Sequence, residues 1–482
     1  MAADKEEIRV LLVVALQAHM NPMLKFARCL ASKGVFITLA MTETARDTLL
    51  NLNFNTFTTQ NPKINLEFFS DGLTAEFNRE KGGEALTTLQ ISGSKNLSNL
   101  IKNLTFVKKL TISCIIFNPF VPWVADVAAE LGIPCALLWN QSCATFSILY
   151  RYSKKINPFD PNFEMNPSEI LGCPGIPNLE VNDLPSTILP STPFHFKKLI
   201  SDSVQSSEKA SWVLGNSFYE LEKDIKDSMD SLIPIRPIGP LVSSFILGRT
   251  EEDDNNTLHI DMWEAEDSCI EWLNKQPISS VIYASFGRVT VLSQIQIDNI
   301  AMALKTSKRP FLWVLKAPTE GSKMKLGELP SGFLEETRER GMVVNWCSQE
   351  KVLMHKAVAC FMTHGGWSST LETVASGVPV VVYPEWTDQP TNAKLLADVF
   401  RVGVRIRVGE DGIAGSEEMG RCIEEVVDGP RAKEMKKRAL ELKEAAKKAV
   451  EDGGSSDLNI NQFIREISGK SCQDYFLGTV RI

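Results

Sequence analysis

The chain has 482 residues, of which 44% are hydrophobic and 23% are charged, and its formal net charge is −8 at pH 7. This length suggests two to four domains, or two large ones. The acidic balance argues against a nucleic-acid partner, because binding phosphates requires a concentrated basic surface. The ten cysteines are scattered singly, without the paired spacing of a zinc site or a disulfide framework. We therefore expect a protein of a reducing compartment that holds no metal.

The first residues argue against a secretion signal and a membrane anchor. The segment "MAADKEEIRV" is polar and acidic, and the apolar run that follows is much shorter than the roughly 20 residues that span a bilayer. Later apolar runs are equally short. We expect a soluble, cytoplasmic protein with no membrane insertion.

Apolar runs alternate with amphipathic stretches along the first half of the chain. The run at 8–16 predicts a buried parallel strand, and 21–34 predicts a helix with Pro22 in its first turn and Gly34 at its end. The same alternation continues with predicted strands at 35–41, 114–117 and 134–139 and a predicted helix at 121–132. Strands that are apolar throughout predict a doubly wound parallel sheet covered on both faces.

Two proline-containing breaks divide this pattern. The stretch 155–200 is rich in Pro and Asn and predicts a long functional or capping loop. The stretch 234–260 contains prolines followed by a polar, acidic run and predicts a linker. A strand, a helix and a strand then follow at 279–287, 293–307 and 310–316. Two α/β domains of similar size would face each other across a cleft at the carboxyl ends of their strands, where ligands bind in such folds.

The stretch "FMTHGGWSSTLE" joins a predicted strand at 358–363 to a predicted helix at 368–376. The tight turn between them consists of His364, Gly365, Gly366 and Trp367. The first N–H groups of a helix are unpaired and carry the positive end of its dipole, so this turn is a candidate anion site.

Two interpretations of this turn follow from its side chains. Ser368, Ser369 and His364 add hydrogen-bond donors, and a diphosphate is the natural ligand of such a turn. Alternatively, Ser369 and Glu372 form the S-x-x-E pattern of a capping box, which stabilises a helix with no ligand present.

The whole segment 346–389 resembles the signature box of the plant family 1 UDP-sugar glycosyltransferases. It begins with "WCSQEKVLMH" and ends with "GVPVVVYPEWTDQ", and its length, order and most fixed positions match that box. The stretches at 68–73, 118–144 and 452–463 resemble the branch that makes glucose esters of hydroxycinnamic, benzoic and gallic acids. The resemblance extends over essentially the whole chain.

The resemblance implies the α/β fold called GT-B, with two facing Rossmann-like domains, parallel sheets and an interdomain cleft. The acceptor-binding domain would comprise 1–245, followed by a linker at 246–260. The UDP-sugar-binding domain would comprise 261–455. The segment 456–482 would form a helix that crosses back to the first domain, plus a tail.

The resemblance also assigns the donor site residue by residue. Trp346 would stack on uracil and the backbone of Cys347 would pair with its edge, while Gln349 and Glu372 would hold the ribose hydroxyls. The diphosphate would be bound or flanked by Ser285, Arg288, His364, the Trp367 backbone, Ser368 and Ser369. The sugar hydroxyls would contact Trp386, Asp388 and Gln389, and the final Gln accompanies glucose in this family. Core packing is the alternative role for the two tryptophans outside the turn, and a plain surface loop is the alternative for Asp388 and Gln389.

His19 matches the catalytic histidine of the family, although Ala18 replaces the usual glycine before it. Its role would be general base, which typically contributes about 10²–10⁴-fold to the rate. The acceptor oxygen would attack the anomeric carbon opposite UDP and invert it, and no metal would be required because the helix N-terminus stabilises the departing UDP.

Several positions depart from the family pattern. Asn118 replaces the Asp that usually steadies the histidine; it can orient the ring through its oxygen but supplies no charge. A carboxylic acid with a pKa of about 4 is already ionised at neutral pH and needs little help from a base. The replacement of Asp by Asn118 therefore favours carboxylate acceptors over phenols. Gly365 stands where the family has Cys, which we interpret as a change in packing. Ser368 stands where the family has Asn, and it keeps a hydrogen-bond donor but with a shorter reach. Arg288 stands where a small Ser or Thr is usual, and it would either pair with the diphosphate or crowd the sugar or acceptor.

The predicted function is glucose transfer from UDP-glucose to a small plant aromatic acceptor, either a carboxylate or a phenolic hydroxyl. The alternatives are attachment of glucose through carbon to a polyphenol, and a non-catalytic UDP-sugar-binding protein. A nicotinamide dehydrogenase is disfavoured, because "VALQAHMNP" after the first strand contains no glycine. We expect UDP-glucose as co-substrate, no other cofactor, and a monomer.

Overall fold

The computed structural model describes residues 7–15, 20–50, 61–73, 82–166, 169–248, 268–287, 292–315, 328–409 and 411–469. We call residues 7–248 the N-terminal half and residues 268–469 the C-terminal half. Most of the predicted linker, from residue 249 to residue 260, lies outside the described residues, as do His19, Arg288 and the tail after residue 469.

A seven-stranded parallel sheet organises the N-terminal half. The strands of this half are β1 Arg9–Val14, β2 Phe36–Thr42, β3 Ile64–Phe69, β4 Cys114–Phe117, β5 Cys135–Trp139, β6 Ile170–Cys173, β7 Ile176–Glu180, β8 Trp212–Gly215 and β9 Ile235–Pro237. The helices are α1 Met20–Ser32, α2 Glu43–Leu50, α3 Gly82–Lys102, α4 Val124–Glu130, α5 Cys143–Lys154, α6 Phe194–Lys209 and α7 Tyr219–Met229. The sheet has the order β3-β2-β1-β4-β5-β8-β9, which reverses direction between β1 and β4.

A six-stranded parallel sheet organises the C-terminal half. Its strands are β10 Val281–Ser285, β11 Phe311–Val314, β12 Gly341–Val344, β13 Val358–Thr363, β14 Val380–Val382 and β15 Gly403–Arg405. The helices are α8 Ser268–Asn274, α9 Gln294–Thr306, α10 Phe333–Thr337, α11 Gln349–Leu353, α12 Trp367–Ser376, α13 Gln389–Lys394, α14 Ser416–Val427, α15 Ala432–Val450 and α16 Ser455–Ile467. Its order, β12-β11-β10-β13-β14-β15, reverses between β10 and β13.

Alternate residues of the central strands enter different hydrophobic clusters. In β1, Leu11 and Val13 pack on one face of the sheet, whereas Val10 and Leu12 pack on the other. Such burial on both faces explains why these strands are apolar throughout. The predicted doubly wound, two-sheet architecture is thereby confirmed.

The predicted long loop at 155–200 contains regular structure. Strands β6 and β7 form an antiparallel hairpin, and α6 already begins at Phe194. The hairpin turns at Pro174-Gly175, where Gly175 has a φ of +79° and a side chain would meet the backbone of Ile225. Part of the proline and asparagine content that indicates a loop therefore belongs to the hairpin and its turn.

Helix α16 contacts residues of the first sheet. The Glu466 carboxylate accepts two bonds from the Arg236 guanidinium, at 3.0 and 3.1 Å, and one from Trp212 Nε1 at 2.6 Å. The side-chain amide of Asn459 donates to the carbonyl of Pro237 at 2.7 Å. The end of the described chain is thus bonded to the half where the chain began.

Candidate active site

The carboxyl ends of β10 and β13 meet at the point where the second sheet reverses direction. Ser285 and Thr363 are in register as the last residues of these neighbouring strands. The loops that follow are so close that a side chain at Gly287 would lie 2.7 Å from Cε1 of His364. Crevices at such switch points are where ligands bind in open α/β sheets.

The turn after β13 includes a residue in the left-handed backbone conformation, which favours glycine. Gly365 has a φ of +77°, and a Cβ atom built on it would lie 2.7 Å from Cγ1 of Val382. The space beside Gly365 and its left-handed backbone both disfavour a side chain. The replacement of the family's Cys by Gly at this position therefore changes the conformational preference of the turn as well as its packing.

Helix α12 begins without a side-chain cap. Gly366 is its N-cap residue, Trp367 is its first helical residue, and no side chain caps this N-terminus. Ser369 already lies inside the first turn, so the capping-box interpretation is wrong. Uncapped N–H groups at a helix N-terminus form a site for an anion.

His364 is held as a neutral imidazole beside this N-terminus. Burial lowers the pKa of His364 to about 4, because the charged form loses its hydration. Its Nδ1 atom lies 3.4 Å from Oγ1 of Thr363. At neutral pH the ring therefore offers hydrogen bonds rather than a positive charge.

The indole of Trp367 connects the two halves. Its Nε1 donates to the backbone carbonyl of Asn216 at 2.7 Å, and the side chain is buried. Only the backbone of Trp367 then remains for a ligand, which is the part that the family resemblance assigned. Ser368, the next residue, is exposed on the first turn of α12.

Gln349, Ser369 and Glu372 form one hydrogen-bonded group. The Gln349 amide nitrogen donates to Oε2 of Glu372 at 2.5 Å and lies 3.2 Å from Oγ of Ser369. The Gln349 oxygen accepts from the hydroxyl of Tyr283 at 3.3 Å, and Tyr283 stacks on Phe361 with ring centroids 4.8 Å apart. The structure therefore places Gln349 and Glu372, expected at the ribose, in contact with Ser369, which is expected at the diphosphate.

The two tryptophans at the ends of the signature segment are not core residues. Trp346 is half-buried and follows β12, next to the buried Cys347. Trp386 is 36% exposed and meets the ring of Phe196 from the N-terminal half, with centroids 6.3 Å apart. Both rings keep accessible surface that a flat or apolar ligand face can contact.

Asp388 and Gln389 are buried in a turn between β14 and α13. Oε1 of Gln389 accepts the N–H groups of Glu385 and Trp386 at 2.9 and 3.2 Å. The Asp388 carboxylate accepts from Asn392 Nδ2 at 2.8 Å and from Thr387 Oγ1 at 2.9 Å. Burial raises the pKa of Asp388, and these donated bonds act in the opposite direction. The alternative of a plain surface loop is wrong for both side chains.

Ser186, in the N-terminal half, bonds this same turn. Its hydroxyl accepts the N–H of Thr387 at 2.6 Å, and its own N–H donates to the carbonyl of Thr387 at 2.8 Å. Ser186 is not among the residues predicted from the sequence. Its position in a proline-rich stretch indicated a loop, but nothing local indicated a partner 201 positions away.

Two buried amides lie at the carboxyl edge of the first sheet. Asn118, 1% exposed, follows β4, and its Oδ1 accepts the N–H of Phe120 at 2.9 Å. Its Nδ2 has no partner among the described residues. The oxygen through which Asn118 is expected to orient His19 thus accepts one bond from the backbone, and His19 itself lies outside the described residues.

Asn140, 6% exposed, follows β5, the strand next to β4, and was missed by the sequence analysis. Both of its amide atoms lack a hydrogen-bond partner within the described ranges. Buried polar groups are usually satisfied, so such an amide at a ligand-binding edge is available to a bound molecule. A polar residue directly after an apolar strand was the signal that could have identified it.

No helix of the described residues is both long and apolar enough to cross a membrane. In the same part of the chain, no three His, Cys, Asp or Glu side chains are grouped so that they could hold a metal ion.

Comparison with known proteins gives consistent matches. The family model described as UDP-glucoronosyl and UDP-glucosyl transferase matches residues 260–445. UDP-glycosyltransferase 84B2 of Arabidopsis thaliana is 46% identical, covering 95% of this chain and 99% of that protein. Gallate 1-beta-glucosyltransferase 84A24 of Punica granatum is 39% identical, covering 94% of this chain and 87% of that protein. The crystal structure of Os79 from O. sativa in complex with UDP superposes with a TM-score of 0.84 at 31% identity, covering 95% of this chain and 100% of that one.

Proposed function

Because the chain belongs to the UDP-glucoronosyl and UDP-glucosyl transferase family, we propose that it transfers glucose from UDP-glucose to a small aromatic acceptor with inversion, and that this acceptor is a carboxylic acid. The observation that carries the donor assignment is the prebuilt group of Gln349, Ser369 and Glu372 beside the uncapped start of α12. The domain division at 1–245 and 261–455 belongs to the same proposal, with the acceptor on the first unit and the donor on the second.

In this proposal, each part of the donor contacts one part of the second sheet's edge. Trp346 and Cys347 hold the uracil, and the carboxylate of Glu372 accepts from the adjacent ribose hydroxyls. The N–H groups that begin α12 bind the diphosphate, assisted by neutral His364. As UDP leaves, its developing charge falls on these fixed donors, which cost no reorganisation at the moment of reaction.

The proposed preference for a carboxylic acid rests on Asn118. Its Nδ2 donor has no partner among the described residues, and a donor suits an anionic acceptor. An aromatic acid with a pKa of about 4 is ionised at pH 7, whereas a phenol with a pKa of about 10 must lose a proton in the reaction. His19, as the proposed base, is then needed less for acids than for phenols. The relative from Punica granatum is named for glucosyl transfer to gallate, an aromatic carboxylate, which supports this choice.

The test is transfer by the purified full-length protein from UDP-glucose to cinnamic acids, benzoic acids, flavonoids and simple phenols, with products resolved by mass spectrometry. Products on acids that alkali hydrolyses would support the ester-forming proposal. Alkali-stable products on phenols would contradict the acid preference, and products that resist both acid and alkali would indicate attachment through carbon. Binding of UDP-glucose without any transfer would favour the non-catalytic alternative.

A further inference from the structure

We propose that Ser186 and Asp183 of the N-terminal half are positioning residues for the donor sugar, because they fix the turn at 386–389 in the conformation that contacts glucose. This inference rests on the proposed function and adds a requirement to it. The sugar end of the donor site would be complete only when both halves of the molecule are engaged.

The first observation is the backbone of Thr387. Its φ is +54°, in the left-handed region, which a β-branched residue rarely adopts. Such a conformation persists only where the surroundings enforce it, and it concentrates at functional sites. Ser186 supplies that enforcement, because it bonds both the N–H and the carbonyl of Thr387, at 2.6 and 2.8 Å.

The second observation is what this left-handed residue does to its neighbours. It reverses the chain so that the Gln389 side chain reaches back to the N–H groups of Glu385 and Trp386. It also brings Thr387 Oγ1 to 2.9 Å from Oδ1 of Asp388. The Gln389 side chain, and one oxygen of Asp388, are therefore oriented by bonds that depend on the conformation of Thr387.

Asp183 fixes the same segment at a second point. Its carbonyl accepts from Thr391 Oγ1 at 2.7 Å. Its carboxylate, 4% exposed, pairs with Arg405 and lies 3.5 Å from Nζ of Lys394. Because Thr391 and Lys394 belong to α13 and Arg405 to β15, the N-terminal half holds the turn and the helix that follows it.

The nucleotide end of the site shows a different construction. Gln349 bonds Tyr283, Ser369 and Glu372, and all four residues belong to the C-terminal half. Loss of the Ser186 contact should therefore weaken binding of the sugar while leaving binding of UDP unchanged. A purely structural role for Ser186 would affect both ligands together.

The experiment compares Ser186→Ala with wild type in the full-length protein, using calorimetry for UDP and for UDP-glucose and steady-state kinetics for transfer. We expect the KM for UDP-glucose to rise about tenfold, since the strained N–H of Thr387 loses its partner, with a smaller change in kcat. The Kd for UDP should stay within about twofold of wild type. The preference for UDP-glucose over UDP-galactose should fall several-fold, and Ser186→Thr, which keeps the hydroxyl, should behave as wild type.

The matched control is Ser455→Ala. Ser455 Oγ donates to Oε2 of Glu220 at 3.0 Å, so this variant also removes one hydroxyl bond between the two halves, away from the turn. The inference would be overturned if the two variants had equal effects, or if Ser186→Ala weakened the binding of UDP and of UDP-glucose equally. An unchanged KM for UDP-glucose in Ser186→Ala would also overturn it. A wild-type protein that binds UDP-glucose without transferring it would refute the proposed reaction, and the calorimetric comparison would still decide the role of Ser186.

Discussion

The carboxyl edges of the two sheets differ in how their side-chain amides are hydrogen-bonded. At the second sheet, the amide of Gln349 is bonded to Tyr283, Ser369 and Glu372. At the first sheet, Nδ2 of Asn118 and both amide atoms of Asn140 have no partner among the described residues. A buried polar group without a partner typically destabilises a protein by about 1–3 kcal/mol. We infer that side chains of the protein itself hold the Gln349 amide at the donor edge, whereas Asn118 and Asn140 at the acceptor edge retain bonding capacity that a ligand would fill.

The largest expected effect comes from disturbing the organised edge. Glu372→Gln removes a charge that would accept from the ribose and places an amide nitrogen against the amide nitrogen of Gln349. Hydrogen bonds to a charged group contribute about 1.5–3 kcal/mol, so the Kd for UDP should rise about 10- to 100-fold. Isothermal calorimetry measures this change.

Glu424→Gln on α14 is the control for the loss of one negative charge, because Glu424 is exposed on that helix. It should leave the Kd for UDP unchanged. A change of less than about threefold in Glu372→Gln would contradict the assignment of Glu372 to the ribose.

The second prediction concerns the neutral imidazole at the same edge. The pKa of His364 is about 4 in the folded protein against an ordinary value of 6.5, so the unfolded chain binds more protons between these two pH values. Its contribution is complete above pH 6.5 and is lost as the pH falls towards 4. The loss by pH 4 should amount to about 3 kcal/mol of unfolding free energy, since each pKa unit corresponds to about 1.4 kcal/mol.

His364→Gln isolates this contribution, because glutamine does not titrate. The unfolding free energy of wild type minus that of the variant should decrease as the pH falls from 7 to 4, measured by urea unfolding at each pH. A difference that does not change with pH would show that His364 is not held neutral by burial.

A third prediction tests whether the side-chain amide of Asn118 at the acceptor edge selects an anion. Asn118→Asp places a carboxylate where an ionised acid would approach, and like charges at close range repel even in a partly solvated site. We expect kcat/KM for an aromatic acid to fall about tenfold, and kcat/KM for a phenol to rise because His19 gains a charged partner.

Asn118→Ala separates the lost amide from the gained charge. Asn118→Ala should lower kcat/KM for aromatic acids. It should not raise kcat/KM for phenols, in contrast to Asn118→Asp. Parallel changes in both acceptor classes for Asn118→Asp would mean that this position does not distinguish them.

The parts of the molecule that the sequence predicted are those with local signals. The alternation of apolar strands and amphipathic helices identified both parallel sheets, and the segment 346–389 identified the edge of the second one. Helix α12 was predicted within one residue, yet the capping box inside it was wrong. Ser369 and Glu372 have the required spacing, but glycine at 366 already begins the helix.

What could not be predicted depends on contacts between distant residues. No pattern near Ser186 indicates that it bonds Thr387, and no pattern near Thr387 indicates a left-handed backbone. The state of an amide is similarly invisible in the sequence, because Gln349 and Asn140 are both polar residues that follow a strand. Only their surroundings show that Gln349 is bonded and that Asn140 has no partner in the part of the chain that the structure describes.

The smallest expected effect contrasts these two amides directly. Asn140→Leu keeps the approximate shape and removes buried polar atoms that lack partners, so the melting temperature of the free protein should stay constant or rise by about 2 °C. Gln349→Met should instead lower it by about 2–4 °C, because Tyr283 and Glu372 each lose a bond. Scanning calorimetry without ligand measures both values. If Asn140→Leu destabilises the protein as much as Gln349→Met, Asn140 is bonded in the free protein and the acceptor edge is as fully organised as the donor edge. If it is neutral or stabilising while transfer to the acceptor declines, the unsatisfied amide is retained for the ligand at the expense of stability.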